Sequence, residues 1–342
     1  MFFAFLLFFN CLFPRFVPTE QRLIVDLYVG SSAASDTQDS VNPASCDPSS
    51  SSAALCNLRS AFGYCVENVF STSPSTCAIH MYNGLPVSFN TSLGSLFYSP
   101  TTTGTDNLLY IYGNNSRITP STSSASGRFL QFMNASLAVE NLLFEGFQTP
   151  DGDGGVMQLS NSTITLQNVT FENNSAVNGG ALCVSIHSNV SIMDSYFSTN
   201  KANEYGGAVF ARERNEVQII NGFFYDNEAA IGGGSVSIFT NNDNVIIKDS
   251  VFSNNRAISY YVNTTLASTY GGGALFIYMY NNFLTLRNNQ FLGNMANYYN
   301  STYVSFTAGL GGAVNIVRHN NYATVENCYF LNNVALFGGM SL

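Results

Sequence analysis

The sequence predicts an all-β protein, a right-handed parallel β-helix solenoid with an N-terminal cap that contains one short helix. A repeat marked by Phe-x-x-Asn-x-Ala and a following Gly-Gly recurs at least six times. Asn, Ser, Thr and Gly are abundant and the aromatic residues, all Phe and Tyr, make up 14%, which suits strands joined by tight turns. Only 10% of residues are charged and Lys+Arg number 12, whereas amphipathic surface helices need long charged side chains.

The repeat is explicit residue by residue. Its Phe stands at Phe171, Phe197, Phe224, Phe252, Phe291 and Phe330, and its Asn at Asn174, Asn200, Asn227, Asn255, Asn294 and Asn333. Two residues further on come Ala176, Ala202, Ala229, Ala257, Ala296 and Ala335. Three before each Phe sits Asn168, Asp194, Asn221, Asp249, Asn288 or Asn327, and the Gly pairs end at Gly180, Gly207, Gly234, Gly273, Gly312 and Gly339. A degenerate earlier copy shows Asn141, Phe144 and Gly155.

Each unit offers a strand after Gly-Gly, an Asn-rich turn, and a second strand ending in Phe. One unit has a single apolar face and cannot close a core alone. Parallel stacking buries that face and pairs every strand above and below, about 4.8 Å apart. Phe then stacks on Phe, and Asn on Asn as an amide ladder along the axis. The glycines suit a bend with positive φ and a close approach of successive backbones. A leucine-rich repeat is excluded because its Leu pattern is missing, and a unit of about 27 residues is short for a propeller blade.

Phe-x-x-Asn with Gly-Gly-Ala-[Ile/Leu/Val] resembles the repeat of chlamydial polymorphic outer-membrane proteins, also found in protist surface proteins. The resemblance covers about residues 135–342, with Ser235 and Met340 departing from Ala. It implies a right-handed β-helix of the pectin-lyase-like type and surface adhesion. The sequence stops at Gly339-Met340-Ser341-Leu342, where a new strand is due, so it is expected to be a fragment of a longer protein. A family-type membrane barrel, and any membrane association, would lie in a segment beyond these residues.

Residues 1–18 are expected to be a signal peptide, since 2–13 form an apolar run of secretory length broken by Pro14, Arg15 and Pro18. Residues 19–134 carry no clear repeat and are expected to form the cap and first irregular coils, with strand-like runs at 23–29, 78–82, 108–112 and 129–133. Residues 135–342 form the repeats proper. Cys46, Cys56, Cys65 and Cys77 cluster without CxxC spacing or nearby His, which predicts two disulfides in an exported protein rather than zinc. If 52–69 is helical, Leu55, Leu58, Phe62, Cys65, Val66 and Val69 share one face and Cys56 points away. Cys46–Cys56 with Cys65–Cys77 is the favoured pairing. Nine Asn-x-Ser/Thr sequons permit glycosylation, but so Asn-rich a chain produces about that many by chance.

Two adjacent repeats are interrupted at the same point, by 258–270 and 297–310. These insertions should project side by side from one edge, where solenoids often bind. Tyr260, Tyr261, Tyr270, Tyr298, Tyr299 and Tyr303 are the candidate binding residues, with packed tyrosines in glycosylated spacers as the plainer alternative.

Signs of catalysis are sparse. Asp194 and Asp249 take the turn position of Asn elsewhere, and Asp226 and Glu228 lack acidic counterparts in adjacent copies. Asp151 and Asp153 fit a turn better than calcium. His187 and His319 lie seven residues after their second Gly, in register with Arg214, Asn241 and Tyr280. This row is expected to be an exposed turn and to offer ligand contacts at most. The Gly runs lack phosphate-loop spacing. No cofactor or metal is expected, and a net charge of −9 argues against nucleic acid or an anionic membrane as partner. The expected function is therefore adhesive or structural, at the cell surface or outside the cell, with glycans or proteins of a host or neighbouring cell as partners. The alternative is a carbohydrate-active β-helix enzyme, which acids stacked around a groove would favour.

Overall fold

The structure, a computed structural model, describes residues 23–29, 57–71, 75–81, 86–100, 107–122, 126–259, 271–298, 311–317 and 319–335. Within these, the chain winds as a parallel β-helix, and the strand pairings are parallel between successive coils. One coil shows the plan. Leu182–Ile186 joins an eight-stranded sheet, Asn189–Met193 and Tyr196–Ser198 join a sixteen-stranded one, and Lys201–Ala202 joins a seven-stranded one.

The third sheet corrects the two-strand unit read from the repeat. Its strands are often only two residues long, as in Ser175–Ala176 and Glu228–Ala229, too short for an alternating pattern to announce them. The repeated Ala is their sign: Ala176, Ala202, Ala229, Ala257, Ala296 and Ala335 are register partners in turn.

The remaining repeat positions act as their chemistry dictates. Asn168, Asp194, Asn221, Asp249, Asn288 and Asn327 all have φ between 51° and 54°, a left-handed conformation that Asn and Asp tolerate best after Gly. From Asp194 onward they separate two strands of the long sheet just before the Phe, whereas the strand Thr163–Glu172 runs through Asn168 unbroken. The two glycines meet different demands. Gly206 has φ of 63°, while a Cβ on Gly207 would lie 2.1 Å from the carbonyl oxygen of Gly234 in the next coil.

Inside, Phe171, Phe197, Phe224, Phe252 and Phe291 are buried and stack at 4.8–5.0 Å, within 11° of parallel. Beside them runs the Asn ladder. The Asn227 Oδ1 accepts from the backbone N–H and the Nδ2 of Asn200, and its Nδ2 donates to the Phe197 carbonyl and to Asn255 Oδ1. Asn200, Asn227, Asn255 and Asn294 have no exposed surface, so these bonds satisfy polar groups that water cannot reach.

The earlier region belongs to the same solenoid. Leu23–Val29 pairs with Ser75–Met81, which pairs with Leu108–Pro120. The helix Leu58–Tyr64 is capped by Asn57, whose Oδ1 accepts the Ser60 N–H at 2.7 Å, and continues as a π turn over Cys65–Val69. Leu58, Phe62, Cys65 and Val69 face the core together, as the helical spacing requires. A Cys65–Cys77 disulfide ties this helix to the strand Ser75–Met81. Cys46, Cys56 and Leu55 lie outside the described residues. No helix among the described residues is long and apolar enough to cross a membrane.

Candidate functional site

Three consecutive residues of successive coils form three rows, and members of these rows line one polar groove. Seven residues after the second Gly stand His187, Arg214, Asn241, Tyr280 and His319, each with φ between 47° and 63°. All five are exposed, as expected of a turn row. Next come Ser188, Asn215, Asn242, Asn281 and Asn320, which turn inward. They form a second amide ladder, in which Asn242 Nδ2 donates to Asn281 Oδ1 at 3.1 Å and Asn281 Nδ2 to Asn320 Oδ1 at 3.0 Å. The third row, Asn189, Glu216, Asp243, Asn282 and Asn321, points outward again.

Between the first and third rows lies a groove of about 510 Å³, lined by His187, Arg214, Asn241 and Tyr280 on one side and Glu216, Asp243 and Asn282 on the other. Buried Asn215 forms its floor, fixed by accepting the Ser188 N–H at 2.9 Å.

The groove sits where the coil lengthens by one residue. Phe224 stands seventeen residues after Gly207, but Phe252 stands eighteen after Gly234. The register changes accordingly: Glu216 pairs with Asp243, yet Gln218 pairs with Ile246. The extra residue, Asn244, bulges with φ of 51°, and Phe283 and Tyr322 repeat this conformation in the next two coils. Such bulges bend a strand and re-aim its side chains.

The charges in the groove are mixed. Glu216 and Asp243 are register partners on adjacent strands, Arg214 opposes them, and Asp243 Oδ1 accepts from Asn282 Nδ2 at 2.8 Å. The Arg214 guanidinium also meets Glu213 at 3.3 Å. Tyr280 is half exposed and stacks on His319, with centroids 5.2 Å apart and planes within 4°. His319 thus takes one face of the ring, and the groove lies on the Asn241 side. His187 and His319 are four coil steps apart, roughly 19 Å, and do not act together. Among the described residues no group of three His, Cys, Asp or Glu side chains is placed to hold a metal ion.

Other singled-out residues have structural roles. Asp153 receives Arg212 at 2.7 Å and Asn178 at 2.9 Å, while Arg128 braces the same turn through the Asp153 carbonyl and Gln158 Oε1. Asp194 and Asp249 accept from Asn221 and Asn288 in an exposed ladder along the left-handed turns. Glu228 faces Lys201 at 3.5 Å. Burial pushes the Cys183 thiol up to about 12, with the Asp153 carboxylate adding to the shift, which leaves it no nucleophile. Of the insertion tyrosines, Tyr298 closes the strand Met295–Tyr298, and Tyr260, Tyr261, Tyr270, Tyr299 and Tyr303 lie outside the described residues.

The acid pair Glu216 and Asp243 was not among the residues singled out from the sequence, although it lies two positions past the row of Arg214 and Asn241. Their common offset of nine residues after the second Gly was the available signal.

Rows of stacked Phe and Asn, Gly-Gly corners and three parallel sheets define a parallel β-helix solenoid. Residues 168–185 match the Chlamydia polymorphic membrane protein repeat. The matched segment runs from the left-handed Asn168 through Phe171, Asn174 and Gly179-Gly180 into the next strand. No curated protein and no solved structure matches the chain.

Proposed function

We propose that this chain is a secreted or cell-surface β-helix that acts by adhesion, holding glycans or proteins of a host or neighbouring cell. The repeat match supports a surface role, because it is the repeat of a membrane-protein family. The observation that carries the adhesive reading is the division of labour within each coil. The marked Phe, Asn, Ala and Gly positions serve stacking and turns, and the variable exposed rows beside them form a concave polar face.

A carbohydrate-active enzyme is the second reading, favoured by Glu216 and Asp243 side by side in the groove. Glycoside hydrolysis needs one carboxyl kept protonated, usually by burial, opposite an ionised partner. Asp243 is exposed and bonded to Asn282, and Glu216 is only half-buried, which favours binding over bond cleavage.

The test is to incubate the purified chain with intact cells and, separately, with polysaccharides. Retention on cells without release of new reducing ends is expected. Release of reducing ends that Glu216→Gln abolishes would replace adhesion by catalysis.

A further inference from the structure

We infer that the groove bounded by Arg214, Glu216, Asn241, Asp243 and Tyr280 binds a short neutral oligosaccharide lying along the solenoid axis. This deepens the adhesive reading and rests on it.

The groove's composition selects the ligand class. Its walls combine amides that both donate and accept, carboxylates that accept, a guanidinium that donates, and a half-exposed aromatic ring. A polyhydroxylated ligand matches that mixture, since each hydroxyl donates one bond and accepts others while C–H faces of the ring pack on Tyr280. The groove spans the coils from His187 to Tyr280, three steps of about 4.8 Å, which suits several linked sugars better than one.

Charge and backbone pairing exclude the main rivals. Two carboxylates, Glu216 and Asp243, face one guanidinium, so phosphate or an acidic glycan meets net repulsion. An extended peptide would gain most from adding to a free strand edge. The strands that carry Glu216 and Asp243, Glu216–Ile220 and Asp243–Lys248, are already paired on both sides, so no such edge borders the groove.

The site is also preorganised. Asn215 on the floor is fixed in the second amide ladder, Asp243 is held by Asn282, and His319 fixes the plane of Tyr280. These three groups need little further ordering when a ligand binds.

Isothermal titration of the full chain tests this. The probes are hexasaccharides of β-1,3-glucan, β-1,4-glucan, β-1,4-mannan and α-1,4-glucan, with hexagalacturonate as the acidic comparison. At least one neutral probe should bind, and hexagalacturonate should bind more weakly. Tyr280→Asn should weaken the neutral ligand about tenfold through loss of ring stacking. Asn is the residue already accommodated in this turn at Asn241, so the variant should keep the wild-type melting temperature.

Absence of binding to every neutral probe, tighter binding of hexagalacturonate, or equal affinity in Tyr280→Asn would overturn the assignment. Cell binding separates this failure from that of the adhesive reading. Wild type and Tyr280→Asn held equally by cells would reject the groove and keep adhesion. Oligosaccharide binding without retention on cells would keep the groove and reject adhesion. Cell binding that protease treatment of the cells removes, and neutral hexasaccharide does not compete, would assign a protein partner and reject the glycan.

Discussion

Asn227→Ala should destabilise the central coils by about 3–5 kcal/mol. The side chain makes four hydrogen bonds at 2.9–3.0 Å in a site with no exposed surface. Its removal takes the acceptor from the backbone N–H of Asn200, a buried donor that then costs about 1–3 kcal/mol. The other three bonds contribute roughly 1 kcal/mol each, partly offset where Asn200 Nδ2 keeps its bond to the Phe171 carbonyl. Asn221→Ala is the comparison, because Asn221 donates one exposed bond to Asp194 and its left-handed turn costs Ala only about 1–2 kcal/mol. Urea unfolding followed by far-UV circular dichroism measures both. Hydrogen exchange of the peptide containing Asn200 should quicken in Asn227→Ala alone. Equal losses in the two variants would refute the buried ladder as a main source of stability.

Gly207→Ala should abolish cooperative folding of its coils, since the new Cβ meets three backbone atoms within 2.7 Å. Gly293→Asn should be nearly neutral in the same melt: its neighbour is the flexible Asn254 side chain, and Asn254 and Asn332 hold the matching left-handed turns. Phe224→Ala, removing a ring stacked at 4.8 Å on both sides, should cost about 3–5 kcal/mol in urea unfolding. Cys183 should resist iodoacetamide at pH 8.5 while half-exposed Cys328 reacts, as peptide mass spectrometry would show. The folded Cys183 thiol titrates near 12, above its unfolded value of about 9, so the unfolded chain loses the proton first as pH rises. Its contribution to stability is therefore full below about pH 9 and declines from there towards pH 12, and Cys183→Ala should lessen that decline.

What the sequence made legible follows from how often each physical demand recurs. Phe171 to Phe330 and Asn174 to Asn333 stand out because every coil must fill the same core and satisfy the same buried amides. The second ladder, Asn215–Asn242–Asn281–Asn320, was obscured because Ser162 and Ser188 occupy its first positions and Asn is abundant around it. The short third sheet left only an Ala as its mark, since two residues carry no period. The His187–Tyr280 row was readable as an exposed turn from its offset. Its concavity was not, because depth depends on the single-residue bulge at Asn244 and on the row two residues further along.

The central claim is that successive repeats are successive coils in register, whatever their length. Spin labels at Asn189→Cys and Asn321→Cys test it directly by electron–electron dipolar spectroscopy, with Cys328→Ala removing the half-exposed free thiol among the described residues and Cys11, Cys46 and Cys56 replaced by Ser. Both positions are exposed and lie in one row, four coil steps apart through Glu216, Asp243 and Asn282. In-register stacking predicts one narrow distance near 19 Å, widened only by the label arms. A distance beyond about twice that value, or a broad distribution, would contradict the stacked β-helix.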